Sequence, residues 1–323
     1  MSFDVRHERD AKHWLVLYAK GIAMGTGDSV PGISGGTIAV ITHIYEELIA
    51  SIGRVDAQAL SLLFKGQLGQ AWAYVNGTFL LVLATGILSG LLFSANTVLF
   101  LLGNYFEALM GFFIGLVLAS AYSLNSRTAL QSWPNVFAAV LGLTLVLLIA
   151  LVPQQPANTS YVAIFAYGAI AICAMILPGL SGAFILLILG VYEFILDALT
   201  SFQLSYIFVF AAGCAVGLLA SARLLAWLLR THGQLAYGFI IGMLLGSVSA
   251  LWPWQKVGEV FVDAAGEEHA LTMVYLMPHT YLEQTGNSPY WLATILCCAS
   301  GAALVLLLHA FAKRPDTDKD QRQ

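Results

Sequence analysis

Two apolar stretches of this chain, residues 12–51 and 161–199, are each broken in the middle by the same run of helix breakers. Pro31-Gly-Ile-Ser-Gly35 recurs as Pro178-Gly-Leu-Ser-Gly182, and Ile38, Ile41, Tyr45 and Glu46 recur without a gap as Ile185, Ile188, Tyr192 and Glu193. Eight of the sixteen positions from Pro31 to Glu46 are identical at an offset of 147. A second block repeats at an offset of 127: Gly86, Gly90, Ser94 and Ala95 match Gly213, Gly217, Ser221 and Ala222, and Gly111 and Gly115 match Gly238 and Gly242. An apolar chain duplicated in this way, with Pro/Gly breaks at matching places, points to a transporter whose binding site lies at the breaks.

The medium follows from composition. The 323 residues are 59% hydrophobic and 10% charged, whereas a soluble domain carries about a quarter charged residues. In lipid only helices and closed barrels satisfy the backbone, and the apolar runs are far longer than the ~10-residue alternating strands of a barrel. The expected fold is an all-α polytopic membrane protein. Cys173, Cys214, Cys297 and Cys298 lie inside apolar runs with no metal-site spacing and read as buried free thiols. The seven histidines form no ligand cluster. Neither a metal, a cofactor nor a nucleic-acid partner is called for. The first apolar stretch, 14–23, is short, contains Lys20 and lacks a cleavage pattern, so no cleavable signal is expected.

Six segments are long enough to cross, at about 78–102, 106–124, 136–152, 206–229, 235–251 and 291–312; a crossing needs ~20 residues. The two broken regions have arms too short to cross, and each reads as a re-entrant helical hairpin. Arg6, Arg9, Lys12 and Lys20 place the N-terminus in the cytoplasm, and Lys313, Arg314, Lys319 and Arg322 the C-terminus. Arg54, Lys65, Arg127, Arg223 and Arg230 mark further cytoplasmic ends. The predicted organisation is a cytoplasmic segment 1–11, repeat one over 12–152 (hairpin 12–51), repeat two over 153–312 (hairpin 161–199, outer loop 253–289) and a polar tail 313–323. Each repeat has a hairpin and three crossings, so the repeats are inverted and the two tips meet near the midplane. An interfacial amphipathic helix is expected within 59–75, and Trp252, Trp254, Tyr275, Tyr281, Tyr290 and Trp291 suit an outer aromatic belt.

The residues able to carry chemistry cluster at the breaks. Ser34, Gly35, Gly36 and Thr37 begin the return arm of hairpin one, and Ser181 and Gly182 that of hairpin two. Helix N-termini offer unpaired N–H donors and partial positive charge, which suits an oxyanion. Alternatively the serines are N-caps and the glycines serve tight packing. Hairpin two replaces Gly27-Asp28-Ser29 by Ala174-Met175-Ile176, so hairpin one supplies most polar groups, Asp28 and Ser29 among them. Asp28 is either a coupling site for a proton or cation, as intramembrane carboxylates often are, or a turn cap paired with backbone N–H. Along a straight return helix Glu46 lies about 18 Å from Ser34. Glu46 and Glu193 are then gates near opposite surfaces, or solvated helix ends. Arg223, inside an apolar helix, is either a phosphate ligand or a snorkelling side chain. Arg54 and Lys65 either draw an anionic lipid or only set topology. The paired glycines at 86/90, 111/115, 213/217 and 238/242 read as helix contacts.

The run from Gly27 to Thr37 followed by Tyr45-Glu46-Glu47, and the run from Leu177 to Gly182 followed by Tyr192-Glu193, closely resemble the bacterial polyprenyl-phosphate transporter family over roughly residues 12–312. The resemblance implies a translocase that returns undecaprenyl phosphate, the lipid carrier of cell-wall and surface-polysaccharide precursors, from the outer to the inner leaflet of the plasma membrane. It implies no enzymatic step. Membrane lipids surround such a protein. No Walker motif is present, which makes a proton or sodium gradient the natural energy source. Two other classes remain open from the residues alone. One is a secondary transporter of a small soluble anion. The other is a membrane-embedded lipid-phosphate enzyme, for which Ser34 has no histidine within the motif to activate it.

Overall fold

The computed structural model describes residues 10–28, 34–128, 132–152, 158–258, 260–262, 268–270 and 273–312. The chain is mostly helical. Its helices are α1 Ala11–Asp28, α2 Gly35–Ile41, α3 Tyr45–Gly53, α4 Ala57–Phe64, α5 Leu68–Tyr74, α6 Gly77–Asn104, α7 Phe106–Thr128, α8 Trp133–Ala150, α9 Tyr161–Ile176, α10 Gly182–Ile188, α11 Tyr192–Thr200, α12 Leu204–Thr231, α13 Gly233–Ser247, α14 Pro278–Thr285 and α15 Trp291–Ala312. Four of them, α6, α7, α8 and α12, carry spans long and apolar enough to cross a membrane. Only 11% of the α12 span is buried inside the protein. Side chains such as Leu92, Phe93, Phe208 and Leu224 project outward, which only a lipid surround makes favourable. This is a multi-pass membrane protein.

The helix ends follow local chemistry. Ser160 caps α9 by accepting from Ala163 N–H, and α9 stops at Leu177, which is extended because Pro178 follows. The return arms are not straight. Hairpin one breaks between α2 and α3 at His43, whose φ is 58°, and hairpin two breaks between α10 and α11 at Gly190, φ 69°. The two positions lie at the 147-residue offset, so the duplication reaches the backbone. A residue in the left-handed region ends a helix, and α11 leaves α10 at 109°. Glu46 and Glu193 therefore sit in the first turns of α3 and α11 rather than at the far end of a straight arm. The expected single amphipathic helix over 59–75 is likewise two, α4 and α5, parted at Gly66 with φ 71°.

The chain forms two compact units. The first holds residues 1–99, 159–185 and 195–231. In it α1 lies against α6: a side chain at Gly21 would strike Leu83 O and the Gly86 backbone, and one at Gly90 would strike Ile22 O. Helix α9 lies against α12 in the same way, through Gly168 on Phe210, Gly213 on Phe165 and Gly217 on Ala169. In both pairs the contacts ascend together along both helices, so the partners run parallel. The chain must therefore come back on itself between α1 and α6, and again between α9 and α12.

The second unit holds residues 100–158, 186–194 and 232–323. There α7 packs on α15, with Gly111 against Thr294, Gly115 against Cys298 and Gly301 against Phe112. Helix α8 packs on α13, with Gly142 against Phe239, Gly238 against Asn135 and Gly242 against Ala139. These pairs are also parallel. Helices α7 and α13 are counterparts, yet each pairs with a helix from the other half of the sequence. With 15 residues, α13 is short for the crossing expected there. Ten of its residues are buried, and a helix walled by protein need not match the thickness of lipid.

The loop after α13 is folded. Strand β1 (Gln255–Val257) pairs with β4 (Met273–Tyr275), and β2 (Val260–Val262) with β3 (Glu268–Ala270). Trp254, Leu276 and Tyr281 form a small core flanked by Trp252. The indoles of Trp252 and Trp254 donate to Leu276 O at 2.8 Å and Pro289 O at 2.7 Å. These three aromatics thus fill the loop's own core rather than a membrane belt. Tyr275, Tyr290 and Trp291 remain exposed. The Tyr281 hydroxyl donates to the buried Glu107 carboxylate at 3.0 Å. Burial first, and that carboxylate second, push the Tyr281 phenol above its ordinary value.

Candidate functional site

The first unit brings the two breaks together. Ser34, the N-cap of α2, is 1% exposed, accepts from Gly36 N–H at 3.1 Å and donates to Met175 O on α9 at 2.8 Å. Thr37, 2% exposed, accepts from Gly179 N–H at 3.0 Å. A side chain at Gly36 would strike Ile176 O, so glycine is what lets the end of α9 close on the start of α2. Met175, whose carbonyl meets Ser34, occupies in hairpin two the place of Asp28 in hairpin one. The C-terminal ends of α1 and α9 both converge on the N-terminus of α2.

Asp28 caps that N-terminus. Its Oδ1 accepts from Gly35 N–H at 2.5 Å. Thr37 N–H goes to Ser34 O at 2.8 Å. Gly35, Gly36 and Thr37 thus all spend their amides inside the protein, and the donors expected to meet an external oxyanion are held by an internal one. A carboxylate and a phosphate oxygen ask for the same things, N–H donors and the positive end of a helix. Among the described residues Ser181 makes a looser cap, accepting from Phe184 N–H at 3.5 Å, and a side chain at Gly182 would approach Ala171 O. Ser29 lies outside the described residues.

Arg223 is not at this junction. Its Nη2 donates to Val55 O at 2.5 Å, beside the α3–α4 link, where α3 packs on α12. There Asp56 caps α4 through the amides of Gln58 and Ala59 and accepts from Tyr74 Oη at 2.9 Å. The Ala59 amide foremost, then the Tyr74 hydroxyl, the Gln58 amide and the Arg223 charge, hold the Asp56 carboxyl below the usual range. Glu46 and Glu193 are exposed and sit where helix dipoles favour acids.

Lys20 was read in the sequence only as an orientation signal. In the structure it is half-buried on α1, and its Nζ donates to Thr42 O, at the end of α2, at 2.8 Å. The available signal was a cation inside an apolar helix eight residues before Asp28.

Two broken apolar helical segments thus meet at a buried polar junction in a multi-pass membrane protein, and its relatives are transporters rather than enzymes. Residues 24–269 match the family model described as undecaprenyl phosphate translocase-like, and the chain belongs to that family. It is 34% identical over 302 residues to a protein of Vibrio cholerae serotype O1 named polyprenyl-phosphate transporter, covering 94% of this chain and 98% of the relative. A Staphylococcus aureus protein of the same name is 28% identical over 259 residues, covering 74% and 86%. No solved structure matches the chain.

Proposed function

We propose that this chain carries undecaprenyl phosphate from the outer to the inner leaflet of a bacterial plasma membrane, with both termini in the cytoplasm. The family and the relatives' names support a polyprenyl phosphate as cargo. The observation that carries the mechanism is the Asp28 carboxylate on the Gly35 amide at the meeting point of the two hairpins. It is a resident anion in the seat that a phosphate oxygen would take. The seat comprises Asp28, Ser34, Gly35, Gly36, Thr37, Ser181 and Gly182, with Ser29 assigned to it from the sequence alone; Arg223 is left to anchor the α3–α4 link.

Two anions cannot share one donor at low dielectric without a large cost. When the phosphate enters, Asp28 gives up Gly35 and takes a proton; when Asp28 ionises again, it reclaims the amide and expels the phosphate. Proton-gradient coupling follows from that exchange. The parallel pairs α1/α6 and α9/α12 support two re-entrant hairpins, each returning to the side it came from. The duplicated halves, with an odd number of crossings each, support an inverted repeat, which provides alternating access. Glu46 and Glu193, exposed in the first turns of α3 and α11, act as gating residues of their own hairpins. The polyprenyl tail stays in lipid, and the exposed apolar side chains of α4 and α5, including Phe64 and Trp72, rest on the inner leaflet.

The test is leaflet-resolved transport of undecaprenyl phosphate in proteoliposomes, with and without an imposed proton gradient. Transport that follows the gradient supports the exchange. Transport indifferent to it removes the coupling, and none from folded protein removes the cargo.

A further inference from the structure

Lys20 lies about 12 Å along α1 before Asp28, on the N-terminal side of the junction. An ammonium inside an apolar helix is costly unless its charge and its donors are answered. Among the described residues the Lys20 ammonium donates to one carbonyl, Thr42 O, out of the three donors it carries. The Glu47 carboxylate is close enough to act on it electrostatically. Glu47, however, is engaged with Asn76, whose Nδ2 donates to it at 2.7 Å and lies 3.3 Å from Ser51 Oγ. Three residues past Thr42, the hydroxyl of Tyr45 is buried with no partner among the described residues. A buried hydroxyl left this way is costly and marks a place where a ligand can supply the missing bond. The second hairpin has no such cation, since Tyr167 and Leu189 stand where Lys20 and Thr42 stand in the first.

We propose that Lys20 is a cationic station on the cargo's path, which takes the phosphate head of the polyprenyl phosphate after it leaves the Asp28 junction. This rests on the carrier reading above and adds to it a second headgroup subsite on the same hairpin. The ammonium then exchanges a neutral carbonyl partner for a phosphate oxygen, while the Glu47 charge keeps that hold weak enough for release. A lysine suits this as a compact, mobile point charge.

Lys20→Gln tests the assignment, because glutamine still has an N–H to offer Thr42 O but carries no charge. The probes are farnesyl phosphate and farnesol, titrated into the purified full chain in nanodiscs. In the wild type farnesyl phosphate is expected to bind more tightly than farnesol. In Lys20→Gln that preference should fall at least tenfold, with farnesol affinity and melting temperature unchanged, and Lys20→Arg should keep it within about threefold. An undiminished preference in folded Lys20→Gln overturns the proposal and leaves Lys20 as a helix-end cap. No preference in the wild type defeats the carrier reading itself, a separate failure. Should Lys20→Gln not fold, solid-state NMR of the wild type with 15N-labelled lysine side chains decides. A 31P–15Nζ contact to bound farnesyl phosphate that Lys20→Arg abolishes upholds the station, and its absence overturns it.

Discussion

Asp28→Asn separates binding from transport. Asparagine keeps the size of the side chain and a carbonyl oxygen able to accept from Gly35 N–H, which Asp28 now meets at 2.5 Å. Hydrogen bonds to charged groups contribute about 1.5–3 kcal/mol and neutral ones about 0.5–1.5. The substitution therefore weakens the resident competitor by about 1–1.5 kcal/mol, five- to tenfold in an equilibrium. A phosphate that must displace this competitor then enters more easily, and meets no negative charge beside it. Farnesyl phosphate affinity is expected to rise about tenfold. Release should suffer, because asparagine cannot ionise to reclaim the amide. Leaflet transport of undecaprenyl phosphate should fall more than tenfold and lose its response to a proton gradient. The assay pair is equilibrium binding of farnesyl phosphate in nanodiscs and transport in proteoliposomes, with melting temperature as the fold control. Weaker binding with transport at the wild-type rate would refute the exchange of carboxylate for phosphate.

Arg223→Ala loses the bond to Val55 O but touches nothing at the junction. Transport should stay within about threefold of wild type, for a stability loss of no more than about 1.5–3 kcal/mol; abolished transport in folded protein would return Arg223 to the cargo path. Gly213→Ala drives a methyl into the Phe165 carbonyl, so overpacking should cost at least about 1–3 kcal/mol, visible as a lower melting temperature. Gly233→Ala, at a glycine with open space around it, should change little, and equal effects at both sites would contradict the packing. Asp56 has a depressed carboxyl in the folded state, so its stabilisation is complete above the ordinary carboxylate range and is lost as pH falls through its lower folded value. Asp56→Ala should cost α4 about 1 kcal/mol at neutral pH, read as faster amide exchange over Ala57–Phe64; unchanged exchange would show the cap to be idle.

Much of the site was legible because its markers are local. Pro178 stops α9 at Leu177, Ser34 and Ser181 precede helices, and the duplicated spacing says which positions correspond. The carboxylate at Asp28 stood out because hairpin two has Met175 there. What it bonds to was open, and the turn-cap geometry is the one adopted. Lys20 was harder to read, since near a chain end a lysine is also what orientation in the membrane requires. The straight return arm failed at His43 because a left-handed histidine carries no compositional mark, whereas its counterpart Gly190 does.

The sequence by itself determined the medium, the long apolar helices, the duplication and the central break of each duplicated region. Each of these depends on apolar content or on Pro, Gly and Ser acting within a few residues. The tertiary structure alone decided which surfaces meet. The parallel pairing of α7 with α15 and of α8 with α13 joins opposite halves of the chain. Ser34 reaches Met175 across 141 residues, and Arg223 reaches Val55 across 168. Such contacts rest on glycine faces close enough for backbones to touch. Many glycine faces could pair in an apolar chain, and the choice among them belongs to the packing of the whole.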